Sequence, residues 1–169
     1  AYVGFVEDYY RRADGTHTTE VANIHYAMRP LKAIYGHTCV VDFGPLAMQA
    51  VMARMIELDW TRRHINKSVQ RIKRLFKWGT ARELIPAGVY HGLQAVEGLR
   101  RGRSKAREAE PVKPVPEAFV EAVLPHVSRQ VAAMIRLQEL TGMRPGEVVI
   151  MLTCDLETSG RIWTYRPES

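Results

Sequence analysis

Between Thr61 and Lys77 the sequence combines an apolar helical stripe with a second stripe made of cations. The apolar positions recur every three or four residues, which is the spacing of one buried helix face: Ile65, Val69, Ile72, Leu75 and Phe76. Thr61 is a residue type that caps helix N-termini. The cations, here called the basic stripe, fall on another face: Arg63, Lys67, Arg71, Arg74 and Lys77. The pattern predicts a helix that packs on a core with one side and presents positive charge on the other.

The basic stripe is unfavourable for an isolated helix, because like charges three or four residues apart repel one another. Phosphate oxygens of a nucleic acid would neutralise these charges. Polar side chains that could reach base edges or sugars lie among the cations: Asn66, Ser68 and Gln70. We therefore predict that Asn66, Gln70 and all five residues of the basic stripe contact DNA. The alternative is a solvated basic helix without a ligand.

The positive charge of the chain is concentrated in one segment. The 169 residues carry a formal net charge of +6. Residues 61–107 hold 13 Lys and Arg and two acids, so this segment is net +11 and the remainder is net −5. A solvated face usually mixes both signs, whereas a segment of one sign favours a polyanionic partner. We predict DNA contacts for three further cations of this segment, which are Arg101, Arg103 and Lys105.

Other features of the composition argue against several classes of protein. No apolar run approaches the roughly 20 residues of a membrane span, and no signal-peptide pattern opens the chain, so we expect a cytoplasmic protein without a membrane partner. Cys39 and Cys154 are far apart and are predicted to be buried free thiols. No histidine pair has ligand spacing and there is no Gly-rich phosphate loop. We predict neither a metal nor a small-molecule cofactor.

Apolar periodicity and turn residues divide the chain into two helical modules. Helices are predicted within residues 3–12, from Thr18 or Thr19 to Tyr35, from Leu46 with Asp42 as a cap, from Thr61, and from Pro86. Residues 99–116 are predicted to be a linker because they are basic, then Pro-rich, and lack an apolar period. Two further helices are predicted between Phe119 and Gly142. Ser159 and Gly160 predict a hairpin turn.

The most specific motif lies near the end of the last long helix: Thr141-Gly142-Met143-Arg144-Pro145-Gly146-Glu147-Val148. Gly142 suits the left-handed residue just past a helix C-terminus, and Pro145 suits the first turn of the next helix. Arg144 is therefore predicted in a tight turn between two helices, with Glu147 three residues later. A guanidinium presents a rigid fork of donors that suits phosphate oxygens. The alternative is a helix-capping turn with a surface arginine.

This motif, followed by Leu152, Asp155 and the stretch 163–167, resembles the first conserved box of the tyrosine recombinases, the phage-type integrases. The resemblance implies that Arg144 contacts the scissile phosphate and that Glu147 supports it. The stretches 65–78, 83–86 and 93–96 also resemble that family's four-helix core-binding domain. A mainly α protein is thus implied, with a core-binding, SAM-like DNA-binding domain at 1–98, a linker at 99–116, and the N-terminal part of an α+β catalytic domain at 117–169.

The resemblance also implies a chemistry and its partners. In that family a tyrosine attacks the scissile phosphate to form a covalent 3′-phosphotyrosyl intermediate without a metal. The tyrosine, a hairpin lysine and a His/Lys-x-x-Arg pair follow the first arginine, so we expect this chain to be inactive alone in DNA integration and recombination. His126 and Arg129 precede Arg144, and Tyr165 lies in the predicted hairpin, so none of the three is assigned a catalytic role. The implied partners are double-stranded DNA and other recombinase protomers on it.

A second class of function remains open from the sequence. A non-catalytic helical DNA-binding regulator would also carry a basic helix. Such a regulator, for example of the helix-turn-helix type, would dimerise on a palindrome, and the predicted hairpin after Glu147 is not expected of it. Arg144 and Glu147 therefore favour the recombinase.

Overall fold

The computed structural model describes residues 1–166, and the chain divides into two compact units, at 1–111 and from Val112 onward. The described residues form eight α-helices, three short 3-10 turns and two short strands. The prediction of a mainly α protein is therefore confirmed. Within residues 1–166, none of the helices combines the length and the apolar character needed to cross a membrane.

The first unit contains five α-helices, whose bounds are α1 Tyr2–Tyr9, α2 Thr19–Tyr35, α3 Pro45–Glu57, α4 Arg62–Thr80 and α5 Ala87–Gln94. Thr18 and Thr61 precede α2 and α4 as predicted, although neither side chain bonds the helix backbone. The predicted cap Asp42 is wrong, since this residue lies in a 3-10 turn. Gly44 precedes α3, and Pro45 begins it. Proline is favoured there because the first N–H of a helix has no partner within that helix.

The core of the first unit is built around α4, which contacts each of the other four helices. Of the predicted apolar stripe, Ile65, Val69, Ile72 and Phe76 are buried and Leu75 is half-buried. They pack with side chains from the neighbouring helices, among them Ile24, Met28, Met48, Val51, Met55 and Leu93. Each such side chain contributes about 1.5–3 kcal/mol when fully buried. The helix that carries the basic stripe is therefore fixed in the centre of the unit.

The second unit contains α6 Glu117–Val123, α7 Arg129–Thr141 and α8 Pro145–Ile150, followed by β1 Leu156–Glu157 and β2 Thr164–Tyr165. The two strands pair antiparallel, with Leu156 opposite Tyr165, so the predicted hairpin is confirmed. Ser128 caps α7, since its hydroxyl oxygen accepts the N–H of Val131 at 3.3 Å. The predicted burial of the thiols is wrong, because Cys39 and Cys154 are both exposed.

Candidate nucleic-acid interface

The exposed side of α4 carries most of the side chains that the sequence assigns to DNA. Arg63, Lys67, Gln70, Arg74 and Lys77 are exposed, whereas Asn66 and Arg71 are half-buried. Ser68 points into the core and is fully buried. The expectation that Ser68 could reach DNA is therefore wrong, because its helical position belongs to the apolar face.

Two adjacent grooves run along this side of α4. The first has a volume of about 370 Å³ and is lined by Asn66, Lys67, Gln70, Arg71, Arg74 and Gly98. The second has a volume of about 380 Å³ and is lined by Gln70, Lys73, Arg74, Lys77, Tyr90 and Gln94. Gln70 and Arg74 line both, so the two grooves adjoin along the helix. Their described lining contains five cations and no carboxylate, a composition that suits an anionic ligand.

Two cations of the basic stripe share one carboxylate of the protein, that of Glu20 in the first turn of α2. The Arg71 guanidinium bonds both carboxylate oxygens, with Nε–Oε1 at 3.1 Å and Nη2–Oε2 at 2.8 Å. Nη2 of Arg74 donates to Oε1 at 2.6 Å, and its Nη1 donates to the Tyr10 hydroxyl at 3.0 Å. These bonds, that from Arg71 foremost, hold the pKa of Glu20 below its usual range. The repulsion between Arg71 and Arg74 is thus relieved without a ligand.

The side-chain amide of Asn66 is bonded to the backbone of Leu99. Its Oδ1 accepts the Leu99 N–H at 2.8 Å and its Nδ2 donates to the Leu99 carbonyl at 3.0 Å. Both polar atoms of the amide are therefore occupied by a peptide group of this chain. Asn66 lines the first groove but has its main hydrogen bonds inside the protein.

The basic segment after α5 belongs to the first unit and contacts α4. The backbone N–H of Arg62 donates to the Arg107 carbonyl at 2.8 Å, and Ala106 is buried. Lys73 Nζ donates to the Val96 carbonyl at 2.6 Å. Burial lowers the pKa of Lys73. Arg101, Arg103 and Lys105, which the sequence assigns to DNA, are exposed and make no ion pair with another described residue.

The Arg144 turn has the local geometry that its sequence predicts. Gly142 is left-handed, with a φ of 69°, and its N–H bonds the Gln138 carbonyl at 2.8 Å. Pro145 begins α8. Glu147 Oε2 accepts the backbone N–H of Arg144 at 2.8 Å, and its Oε1 accepts from the guanidinium Nη1 at 3.3 Å. The Arg144 side chain is 86% exposed, so its other donors face solvent and are open to an anion.

Other residues named from the sequence have no comparable geometry. The Tyr165 hydroxyl is buried without a hydrogen-bond partner among the described residues, and burial raises its pKa. Pro167, the last residue of the recombinase-like stretch, lies outside the described residues. In the described part of the chain, no three His, Cys, Asp or Glu side chains form a group that could hold a metal ion.

Comparisons with known proteins found no matching family model, no matching curated protein and no matching solved structure. The grooves on α4 and the Arg144 turn are therefore the features from which a function is inferred. The first is an exposed surface lined by cations, and the second holds one exposed guanidinium at a helix N-terminus.

Proposed function

We propose that this chain binds double-stranded DNA through the exposed side of α4 and the basic segment that follows α5. The observation that carries the proposal is the pair of adjoining grooves, whose described lining has no carboxylate and five cations, two of which share Glu20 as an ion-pair partner. A duplex presents phosphates at regular intervals along its surface. An elongated cationic groove matches that arrangement better than it matches a compact anion.

The number of available cations gives the proposal a quantitative form. Six cations from the DNA-contact predictions are exposed and form no ion pair with a described residue: Arg63, Lys67, Lys77, Arg101, Arg103 and Lys105. Each neutralised phosphate releases counterions and adds about 0.9 to the slope of log affinity against log salt. If all six contact phosphates, the slope is about −5 and the binding has little sequence preference.

We further propose that the chain is part of a site-specific tyrosine recombinase of the integrase type, in which Arg144 contacts the scissile phosphate. The exposed guanidinium and its contact with Glu147 support this role. A preorganised fork of donors stabilises the charge that develops on phosphoryl oxygens. In this proposal residues 1–98 are the core-binding domain, 99–116 connect it to the next domain and 117–169 begin the catalytic domain. The first part of that connection, up to residue 111, belongs to the first compact unit.

The recombinase proposal includes partners and a division of roles. Other recombinase protomers occupy the same DNA, and the covalent 3′-phosphotyrosyl step uses a tyrosine that the family carries downstream of the first arginine. The helical unit contributes affinity for the duplex, while Arg144 contributes to the chemical step. No metal or small-molecule cofactor enters the proposed reaction.

Fluorescence anisotropy with a labelled duplex of arbitrary sequence tests the DNA proposal. We expect the affinity to fall by roughly 10³ between 50 and 200 mM salt, as for a protein with about six phosphate contacts. A second duplex of unrelated sequence should bind within a few fold of the first. An affinity that does not change with salt would contradict the proposal. Binding by a dimer to one palindromic site would instead favour the regulator.

A further inference from the structure

We propose that residues 96–108, here called the strap, form a preorganised half of the phosphate-binding surface, and that Asn66 is the residue that positions it. This inference rests on the proposed DNA binding. It gives Asn66 a role different from base contact, which the sequence predicts. A base-reading asparagine presents its amide to the nucleic acid, whereas this amide is turned toward the protein backbone.

The contact between Asn66 and the strap is specific in its geometry. The amide pairs with both backbone groups of Leu99, at 2.8 Å and 3.0 Å, as a neighbouring strand would. Gly98 lies directly beside this pair. A Cβ added at Gly98 would come within 3.2 Å of Cγ, Nδ2 and Oδ1 of Asn66. The amide and the strap backbone therefore lie so close that a side chain at position 98 would push the Asn66 amide by a few tenths of an ångström.

Contacts on both sides of Leu99 hold the rest of the strap on the same helix. At one end, Lys73 donates to the Val96 carbonyl at 2.6 Å. At the other end, Arg62 pairs with Glu108 through two hydrogen bonds, at 2.5 Å and 3.2 Å, and its backbone N–H bonds the Arg107 carbonyl. The chain turns between these anchors at Gly102, whose φ is 70°. The strap is thus a held loop, fixed near its ends and at Leu99.

The strap and α4 contribute to one positive surface. The Glu108 carboxylate has its pKa lowered first by the hydrogen bond from Arg62, and further by the charges of Arg101 and Arg63. The Glu108 carboxylate therefore interacts with the charges of Arg101 on the strap and Arg63 on α4, in addition to its partner Arg62. Because three cations surround this one carboxylate, the region keeps an excess of positive charge. Gly98 also lines the first groove together with Lys67 and Gln70. A phosphodiester backbone in that groove would contact both elements.

Fixing the strap before DNA binds lowers the cost of ordering its long side chains at the interface. Removal of the Asn66 amide should release the middle of the strap, while α4 keeps its own cations. We therefore expect Asn66→Ala to reduce the salt slope by about 2–3, the share of Arg101, Arg103 and Lys105. The affinity at low salt should fall on the order of 10-fold, equally for duplexes of different sequence.

The experiment compares four variants with the wild type by anisotropy over a range of salt concentrations. They are Asn66→Ala, a strap variant in which Arg101, Arg103 and Lys105 are all Ala, the combination of the two, and Asn23→Ala. Asn23 is exposed on α2 and makes no side-chain hydrogen bond with a described residue, so it is a matched Asn→Ala control. We expect no change for the control. We also expect little further loss when the strap variant is added to Asn66→Ala.

Gly98→Ala is a second variant that should loosen the strap, because the added methyl group crowds the Asn66 amide and no residue of α4 is changed. It should lower the salt slope in the same direction even if Asn66→Ala lowers the stability of the unit. Trypsin should also cut after Arg101, Arg103 or Lys105 faster in both variants than in the wild type, since a strap released from α4 is more accessible to the protease.

Three outcomes would overturn the inference, and they separate it from the proposed function. If the wild type binds with a steep salt slope but Asn66→Ala and Gly98→Ala leave that slope unchanged, the strap role is wrong and the DNA proposal stands. If the losses of affinity from Asn66→Ala and from the strap variant add fully in the combined variant, the strap role is likewise wrong and the DNA proposal stands. If the wild type itself shows no salt-dependent binding, the proposed function and the strap fail together.

Discussion

The helices of the first unit are held by a shared core, whereas those of the second unit are held mainly by local signals. In the first unit, α4 buries Ile65, Val69, Ile72 and Phe76 among side chains of the surrounding helices. Within residues 112–166, Val148 is the one buried hydrophobic residue. Phe119, Leu140, Ile162 and Trp163 are all at least 65% exposed there. Burial therefore contributes far more to the first unit than to the second.

This difference shows that local sequence signals can place helix ends in a region that buries little apolar surface. Helix ends in the second unit follow from Ser128, Gly142 and Pro145, each of which has a backbone reason for its position. Such a cap contributes about 0.5–2 kcal/mol, whereas ordering each residue costs about 1–2 kcal/mol of backbone entropy. Local signals thus specify where helices begin and end, but they do not by themselves stabilise a unit.

The largest effect is expected from truncating a core residue of the first unit. Ile72 is fully buried on α4, and Ile150 on α8 is 64% exposed. Ile72→Ala should lower the free energy of unfolding by about 2–5 kcal/mol, because it leaves a cavity. Ile150→Ala should lower it by less than about 0.5 kcal/mol. Urea titrations followed by circular dichroism measure both, and equal losses would show that the second unit has a comparable core.

The next effect concerns Arg144 and separates binding from chemistry. In a form of the protein that carries the family's downstream lysine, His-x-x-Arg pair and tyrosine, Arg144→Ala should slow DNA cleavage by about 10² or more, or about 3 kcal/mol. Arg144→Lys should also fail, because an ammonium lacks the planar fork. Stability should hardly change, since the side chain is 86% exposed.

A suicide-substrate cleavage assay beside a binding assay on the same Arg144 variants makes this measurement. DNA affinity should change only modestly, because in the proposed complex α4 and the strap supply most of the phosphate contacts. Covalent tyrosine–DNA product formed by Arg144→Ala at nearly the wild-type rate would show that the recombinase reading of this turn is wrong. The non-catalytic regulator would then be the better description of the protein.

Local features were predictable from the sequence, and long-range contacts were not. The buried stripe of α4 follows from its spacing, and Gly142 and Pro145 from backbone preferences. The pairing of Glu20 with Arg71 and Arg74 joins residues more than 50 positions apart, and no local pattern signals it. The contact between Asn66 and Leu99 spans 33 positions, so a basic segment that reads as a linker is in fact packed on a helix.

A smaller effect is expected from the ion pairs of Glu20, whose side chain is 23% exposed. Glu20→Gln should cost about 1–2 kcal/mol at neutral pH, between the values for exposed and buried pairs. The pKa of this carboxyl is lowered by folding. Its contribution is therefore fully present above the ordinary value of 4.5 and is lost as the pH falls through the lowered pKa.

Thermal or urea unfolding as a function of pH tests this expectation for Glu20. The wild type and Glu20→Gln should differ at pH 7 and converge in acid. Glu57→Gln is the control, since Glu57 pairs with Arg54 on an exposed face and its side chain is 64% exposed. That variant should change stability by less than about 0.5 kcal/mol at any pH. If the difference in the free energy of unfolding between the wild type and Glu20→Gln persists unchanged in acid, the stabilisation by Glu20 is not ionic.

The most direct test of the proposed DNA-binding surface removes two positive charges either from α4 or from elsewhere in the chain. Lys67 and Lys77 are exposed on the basic stripe of α4, whereas Lys32 lies exposed on α2 and Lys113 lies exposed in the second unit. Each pair is replaced by alanine, and binding to one duplex is measured by anisotropy across a range of salt concentrations. We predict that the salt slope falls by about 2 for Lys67→Ala with Lys77→Ala and is unchanged for Lys32→Ala with Lys113→Ala. Equal slopes for the two double variants would contradict a DNA surface on α4.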